Sequence, residues 1–264
     1  MALAAFIATG LMSGVAAGLL GVGGGLIIVP ALIFSLPLLG SDYAPPATYI
    51  VHVAVGTSLA VIVFTAIAST RAHHRRNGVL WPVWRAATPG LLIGALLGAA
   101  LADAMSGDLL RRLFGGFELL IALELAFGKE PDAHRSLPGR WTLFGAGTLI
   151  GTVSSVLGIG GGTLSVPMLR WCRVSIREAI GTAAAMGIPI ALAGAIGFLM
   201  NGIGEATGGA QIGYLSWPAM MAIAGASLFT APIGTRLAYL LPEKVLRRVF
   251  AGFLALVAIR LMSI

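Results

Sequence analysis

Apolar residues fall into ten runs along this chain, at about 2–20, 25–37, 51–70, 80–101, 109–127, 141–157, 163–170, 178–200, 212–238 and 245–263. Several of these runs approach 20 residues, the length at which a helix crosses the hydrocarbon core of a bilayer. Composition strengthens that picture: 58% of the 264 residues are hydrophobic and only 10% are charged. With a mean hydropathy of +0.95, the chain has more apolar surface than one soluble core can use. The pattern predicts an all-α, polytopic integral membrane protein.

Two of the apolar stretches are interrupted by nearly the same cluster, Leu20-Gly21-Val22-Gly23-Gly24-Gly25 and Leu157-Gly158-Ile159-Gly160-Gly161-Gly162. Each leads to a Val-Pro pair, Val29-Pro30 and Val166-Pro167. A helix broken at membrane depth frees backbone groups that lipid cannot satisfy, so such breaks persist only where protein or a hydrated cavity surrounds them. The breaks therefore mark a candidate site.

The clusters belong to a longer internal repeat. Gly56-Thr57 is echoed by Gly181-Thr182, Asn77-Gly78 by Asn201-Gly202, and Trp81-Pro82 by Trp217-Pro218. Leu110-Arg111-Arg112-Leu113-Phe114 is echoed by Leu246-Arg247-Arg248-Val249-Phe250. Residues 1–128 and 141–264 are thus expected to be two transmembrane repeats of one integrated membrane domain. The polar segment 129–140, with Pro131, Pro138 and Gly139, is expected to be a cytoplasmic linker. Extra residues follow Pro30 in the first repeat and Asn201 in the second.

Charge sets the orientation. If every broken run simply crosses the membrane, the 17 Lys and Arg split almost evenly between the two sides. If each break is instead a hairpin returning to the side it came from, only Arg111, Arg112 and Arg260 lie on one side and every other cation on the other. Cytoplasmic loops are the cation-rich ones, so the second arrangement is preferred. It places both termini outside the cytoplasm, with three transmembrane helices and one glycine-broken hairpin per repeat. Three spans are an odd number, so the repeats are inverted relative to each other, a plan that recurs among secondary transporters. No Lys or Arg precedes Arg71, so the first run lacks the cationic start of a secretory signal and is expected to be retained.

A helix beginning after each triple glycine offers unpartnered N–H groups and the positive end of its dipole. Two such ends facing one another form an anion site that needs no arginine. The candidate substrate-binding set is Gly21, Gly23, Gly24, Gly25, Leu26, Thr57, Ser58, Gly158, Gly160, Gly161, Gly162, Thr163 and Thr182. Further hydroxyls stand at Ser13, Ser154, Ser155 and Ser165. Isolated glycines such as Gly94, Gly98, Gly194 and Gly197 are read as close helix packing.

Glu118 lies mid-span, where an ionisable group is costly, and is the candidate for proton coupling. His52 is expected at the noncytoplasmic end of its span. The single cysteine, Cys172, excludes an internal disulfide and a cysteine-based zinc cluster. No catalytic set, metal site or cofactor motif emerges. The formal charge of +7 sits in short loop runs, which argues against nucleic acid. The partners read from the sequence are a small anion and membrane lipid, and a homodimer is compatible with it.

The paired Gly-x-Gly-Gly-Gly-x-x-x-Val-Pro motifs, the two Gly-Thr pairs and the closing Leu-Arg-Arg segments resemble the TauE/SafE family of sulfite exporters. The likeness runs from about residue 5 to 262. It implies a secondary carrier of the bacterial inner membrane for sulfite or an organosulfonate such as sulfoacetate, working mainly in export. An anion channel using the same helix ends is the alternative reading.

Overall fold

A computed structural model describes residues 2–20, 23–40, 44–127, 137–205, 210–238, 240 and 243–263, with the backbone alone at 20, 238 and 243–249. Ten α-helices account for most of it: α1 Ala2–Leu20, α2 Gly25–Ser35, α3 Ile50–His74, α4 Trp81–Asp103, α5 Gly107–Phe127, α6 Arg140–Leu157, α7 Gly162–Trp171, α8 Ile176–Asn201, α9 Trp217–Ala238 and α10 Glu243–Met262. Between α8 and α9 two short antiparallel strands pair, β1 Gln211–Ile212 and β2 Leu215–Ser216. The run expected to be helical from 212 thus starts its helix only at Trp217, where Pro218 suits the first turn because that turn needs no N–H. The start of α8 follows from its N-cap: Ser175 Oγ accepts from the Glu178 N–H and donates to the Glu178 carboxylate.

By length and composition, five helical stretches among the described residues can cross a membrane: Ala2–Leu19, Ala47–His74, Trp81–Asp103, Ile176–Asn201 and Trp217–Leu237. Gly25–Leu39 and Phe250–Met262 are shorter apolar helical stretches.

Stripes of glycine bring helices of different repeats together. On α1, a Cβ at Gly10 would lie 2.6 Å from the Ile223 carbonyl oxygen, one at Gly14 2.6 Å from that of Ser227, and one at Gly18 2.1 Å from that of Ala231. These contacts climb both helices together, so α1 and α9 run in the same direction. The pair α4 and α6 does likewise, with Gly90 against Phe144, Gly94 against Thr148 and Gly98 against Thr152. Small residues at four-residue spacing allow backbones this close, and so permit such seams.

The other helices take their direction from point contacts. Gly56 of α3 lies against Tyr214 just before α9, and Arg76 just after α3 reaches the Thr235 carbonyl near the end of α9, so α3 runs with α1 and α9. Leu80 is bonded to Thr182, and Asn201 to Ala99, so α8 runs with α4 and α6. Helix α2 runs back against α3, because Gly23 lies beside Ile62 while Val29 and Val55 both meet Gly158. Helix α7 likewise runs back against α8, from Gly161 beside Gly187 to Trp171, five residues before α8 begins. The chain therefore reverses at both glycine clusters. Helix ends carrying Arg71, Arg75, Arg76, Arg85, Arg140, Arg170, Arg173, Arg177 and Arg236 gather on one face. Lys129 and Arg135 of the expected linker lie outside the described residues, which resume at 137.

Candidate functional site

The two reversals meet. A Cβ on Gly23 would lie 3.2 Å from the Gly160 Cα, and one on Gly25 would lie 2.5 Å from the Gly158 carbonyl oxygen and 2.7 Å from the Ile159 Cα. Residues 23–25 and 158–162 are all buried. Gly21 lies outside the described residues. Left-handed backbone explains part of the glycine content: φ is +77° at Gly23, +84° at Gly24 and +67° at Gly158. At Gly25 the reason is contact with the main chain of the other break, and at Gly161 it is contact with the main chain of α8, where a Cβ would lie 3.0 Å from the Ala183 carbonyl oxygen.

Beyond each break a helix starts without a side-chain cap, α2 at Gly24 and α7 at Gly161. The first-turn N–H groups, those of Gly25, Leu26, Gly162 and Thr163 among them, therefore have no side chain to satisfy them. The side chain of Leu26 is packed in the core, so this residue can offer a ligand only its backbone.

Helix α3 supplies the hydroxyls that organise the breaks. Ser58 Oγ donates to the Gly158 carbonyl at 2.8 Å, and Thr65 Oγ1 donates to the Gly23 carbonyl at 3.1 Å. Each engages a carbonyl oxygen that would otherwise present negative charge at the junction of the two breaks. Ser58, Ile62, Thr65 and Ser69 recur at helical spacing on one face of α3. A narrow cleft next to the breaks is lined by Gly23, Ala66, Ser69, Gly161, Ala184 and Gly187, and it is too tight to hold a water molecule. Ser154, Ser155 and Ser165, flanking the second break, are fully buried, and their hydroxyls have no hydrogen-bond partner among the described residues. Thr163 Oγ1 makes only a long bond, 3.5 Å, to the Gly160 carbonyl.

Thr57 and Thr182 each hold a backbone amide. Thr57 Oγ1 accepts from the Ser216 N–H at 2.8 Å, and Thr182 Oγ1 accepts from the Leu80 N–H at 2.9 Å. These bonds occupy equivalent places in the two repeats, one residue before each Trp-Pro pair. Sequence reasoning missed Thr65, Ser69 and Gly187; the spacing of hydroxyls along α3 was the signal for the first two.

Glu118 is completely buried on α5, and neither carboxyl oxygen has a hydrogen-bond partner among the described residues. His52 is buried at the far end of α3 from the arginine-rich face, with Nε2 3.2 Å and 3.1 Å from the Ala102 and Met105 carbonyl oxygens. Its ring clusters with those of Tyr49 and Tyr214, the three centroids lying 5.2–5.8 Å from one another. Tyr214, in the segment before α9, is pushed well above the usual tyrosine range by burial and by a hydrogen bond to Asp103. Among the described residues, no three His, Cys, Asp or Glu side chains stand close enough to hold a metal ion.

The family described as Sulfite exporter TauE/SafE matches residues 6–261. This chain belongs to the TauE/SafE family. A probable membrane transporter protein of Haemophilus influenzae is 32% identical to it over 255 residues, covering 96% of this chain and 95% of that one. The probable membrane transporter protein YdhB of Bacillus subtilis is 25% identical over 243 residues, covering 89% of each chain. No solved structure matches the chain. Family and relatives together make this TauE/SafE member a multi-pass membrane transporter and not an enzyme.

Proposed function

We propose that the protein is a secondary carrier that binds a small sulfur-containing anion, sulfite or a compact organosulfonate, where its two glycine breaks meet, and exports it across the bacterial inner membrane. The observation that carries this reading is the main-chain contact of Gly23 with Gly160 and of Gly25 with Gly158 in the protein interior, each break leading to a helix start without a side-chain cap. Helix N-termini are ready anion sites, and burial strengthens their field. The bonds from Ser58 and Thr65 assist by engaging break carbonyls. The sulfur chemistry of the substrate is taken from the family name alone.

In this reading residues 1–128 and 141–264 are inverted repeats, each with a re-entrant hairpin, and the arginine-rich face is cytoplasmic. The opposed directions of α1, α3 and α9 against α4, α6 and α8 support it. Both termini then lie outside the cytoplasm. Because α1 packs on α9 and α6 on α4, the moving bodies are not the two sequence halves. They are α1, α2, α3 and α9 on one side and α4, α6, α7 and α8 on the other. Export of a monovalent anion is favoured by an inside-negative potential, worth about 2.3 kcal/mol per charge per 100 mV.

Purified protein screened against sulfite, sulfate, thiosulfate, sulfoacetate and taurine at constant ionic strength should gain thermal stability with one or more sulfur oxyanions and not with chloride. Counterflow in proteoliposomes tests the mode of transport. Saturable exchange is expected; flux that neither saturates nor exchanges would instead make the same helix ends the lining of an anion channel.

Glu118 is proposed to carry the coupling proton. A buried carboxyl without a partner is stable only when neutral, so it must bind a proton whenever it is enclosed. Glu118→Gln, which keeps the neutral shape, is expected to leave anion protection intact and to remove the dependence of transport on a pH gradient. Unchanged acceleration by the gradient in that variant would remove Glu118 from coupling.

A further inference from the structure

Helices α3 and α8 run antiparallel past the glycine breaks and supply Ala66, Ser69, Ala184 and Gly187 to the cleft. Each end of this pair is fastened by a short segment, and the two fastenings use the same bonds. At the end far from the arginines, the Tyr214 N–H donates to the Phe198 carbonyl of α8 at 3.3 Å, while the Ser216 N–H donates to Thr57 Oγ1 of α3 at 2.8 Å. At the arginine-rich end, the Gly78 N–H donates to the His73 carbonyl of α3 at 3.0 Å, while the Leu80 N–H donates to Thr182 Oγ1 of α8 at 2.9 Å. Both segments sit on a glycine. A Cβ on Gly56 would lie 2.5 Å from the Tyr214 carbonyl oxygen, and one on Gly181 would lie 2.1 Å from that of Gly78.

We propose that residues 213–216 and 78–80 are paired clasps that open alternately, and that the hydroxyls of Thr57 and Thr182 are their latches. Each clasp ties α3 to α8 at one end, so releasing one lets the helices part on that side only. One residue beyond each latch the helix touches the second break: Ser58 bonds the Gly158 carbonyl, and the Ala183 carbonyl faces Gly161. Parting the helices at either end therefore reaches the anion site directly. With both clasps fastened the cleft has no room for water, the occluded state between the two openings. Valine keeps the shape of threonine and removes the accepting oxygen, so it releases one latch without emptying space.

This inference rests on the carrier reading, and the test separates the two. In a Cys172→Ser background, reporter cysteines are placed at Ser69, in the cleft on the arginine-rich side of the breaks, and at Val55, which touches Gly158 from the other side. Both are labelled with a membrane-impermeant maleimide in vesicles of each orientation, without substrate. Thr182→Val should raise labelling at Ser69→Cys from the arginine-rich side and lower it at Val55→Cys; Thr57→Val should do the converse. The shift expected from one hydrogen bond is about two- to tenfold. Serine at either position should restore the parent pattern, which a variant that merely loosens the fold would not distinguish from valine. Equal labelling of both reporters in both variants, or none of either, overturns the clasps while leaving the carrier intact. Labelling of each reporter from both sides in the parent overturns the carrier as well.

Discussion

Alanine in place of Gly25 is expected to reduce transport more than about tenfold, with anion protection lost in parallel, while the protein still inserts and purifies as a folded species. The added carbon would sit 2.5 Å from the Gly158 carbonyl oxygen and 2.7 Å from the Ile159 Cα, and both neighbours are main chain. Overpacking usually costs about 1–3 kcal/mol because side chains swing aside. Here nothing can rotate away, so the two breaks must separate, and a tenfold loss corresponds to only about 1.4 kcal/mol. The fold should survive because the seams between α1 and α9 and between α4 and α6 lie elsewhere. Gly40→Ala is the control: φ is +85° there, yet nothing lies within 4 Å. With ψ at 163° this is backbone that essentially glycine alone adopts, so alanine carries about 1–3 kcal/mol of strain without touching the breaks, and transport should be unchanged. Normal flux in Gly25→Ala would mean that the contact between the breaks has no part in the transport route.

How far the sequence discloses this molecule depends on what each residue type can report. A triple glycine in an apolar run is informative because lipid tolerates no broken backbone, and both clusters do mark reversals. The cation count indicated that each break returns to the side it came from, whereas the residues through which the two breaks touch, Gly23 with Gly160 and Gly25 with Gly158, carry no signal in the sequence. A threonine is less informative, since its hydroxyl satisfies whichever backbone group is nearest. The Gly-Thr pairs were expected to serve the anion; the partners that Thr57 and Thr182 accept from are the N–H groups ahead of the two Trp-Pro pairs. No spacing argument could supply that partner, because it lies 159 positions away in one case and 102 in the other. Ser58 was expected to donate to the anion, whereas its hydrogen is used by the Gly158 carbonyl. The extra residues after Asn201 offered no periodicity, and they include β1 and lead into one of the two clasps. The pairing of α1 with α9 and of α4 with α6 was also hidden, since a glycine stripe announces close packing without naming its partner.

Those hidden partners make the second large effect predictable. Leucine at Gly94 is expected to eliminate the folded protein, seen as loss of the monodisperse peak in detergent size-exclusion chromatography. A Cβ at this position would stand 2.1 Å from the Thr148 carbonyl oxygen and 2.9 Å from the Thr152 amide nitrogen, so α4 and α6 cannot remain in contact. Parting them also strips Gly90 and Gly98 of their neighbours, since all three glycines meet α6 along one line. The seam joins the first repeat to the second, and little in a bilayer replaces it, because lipid tails are as apolar as the helices and association relies on close van der Waals contact. Gly18→Leu should fail in the same way, with the Ala231 carbonyl oxygen 2.1 Å from the added carbon. Gly145→Leu and Gly225→Leu provide the comparison on the partner helices α6 and α9, where nothing lies within 4 Å of the new Cβ, and both should purify like the parent. If all four variants behaved alike, whether folded or lost, the seams would not be what joins the two repeats. If only the seam variants are lost, the bodies that move in transport must each contain helices from both repeats, because no motion that pulls α1 from α9 or α4 from α6 leaves a stable protein.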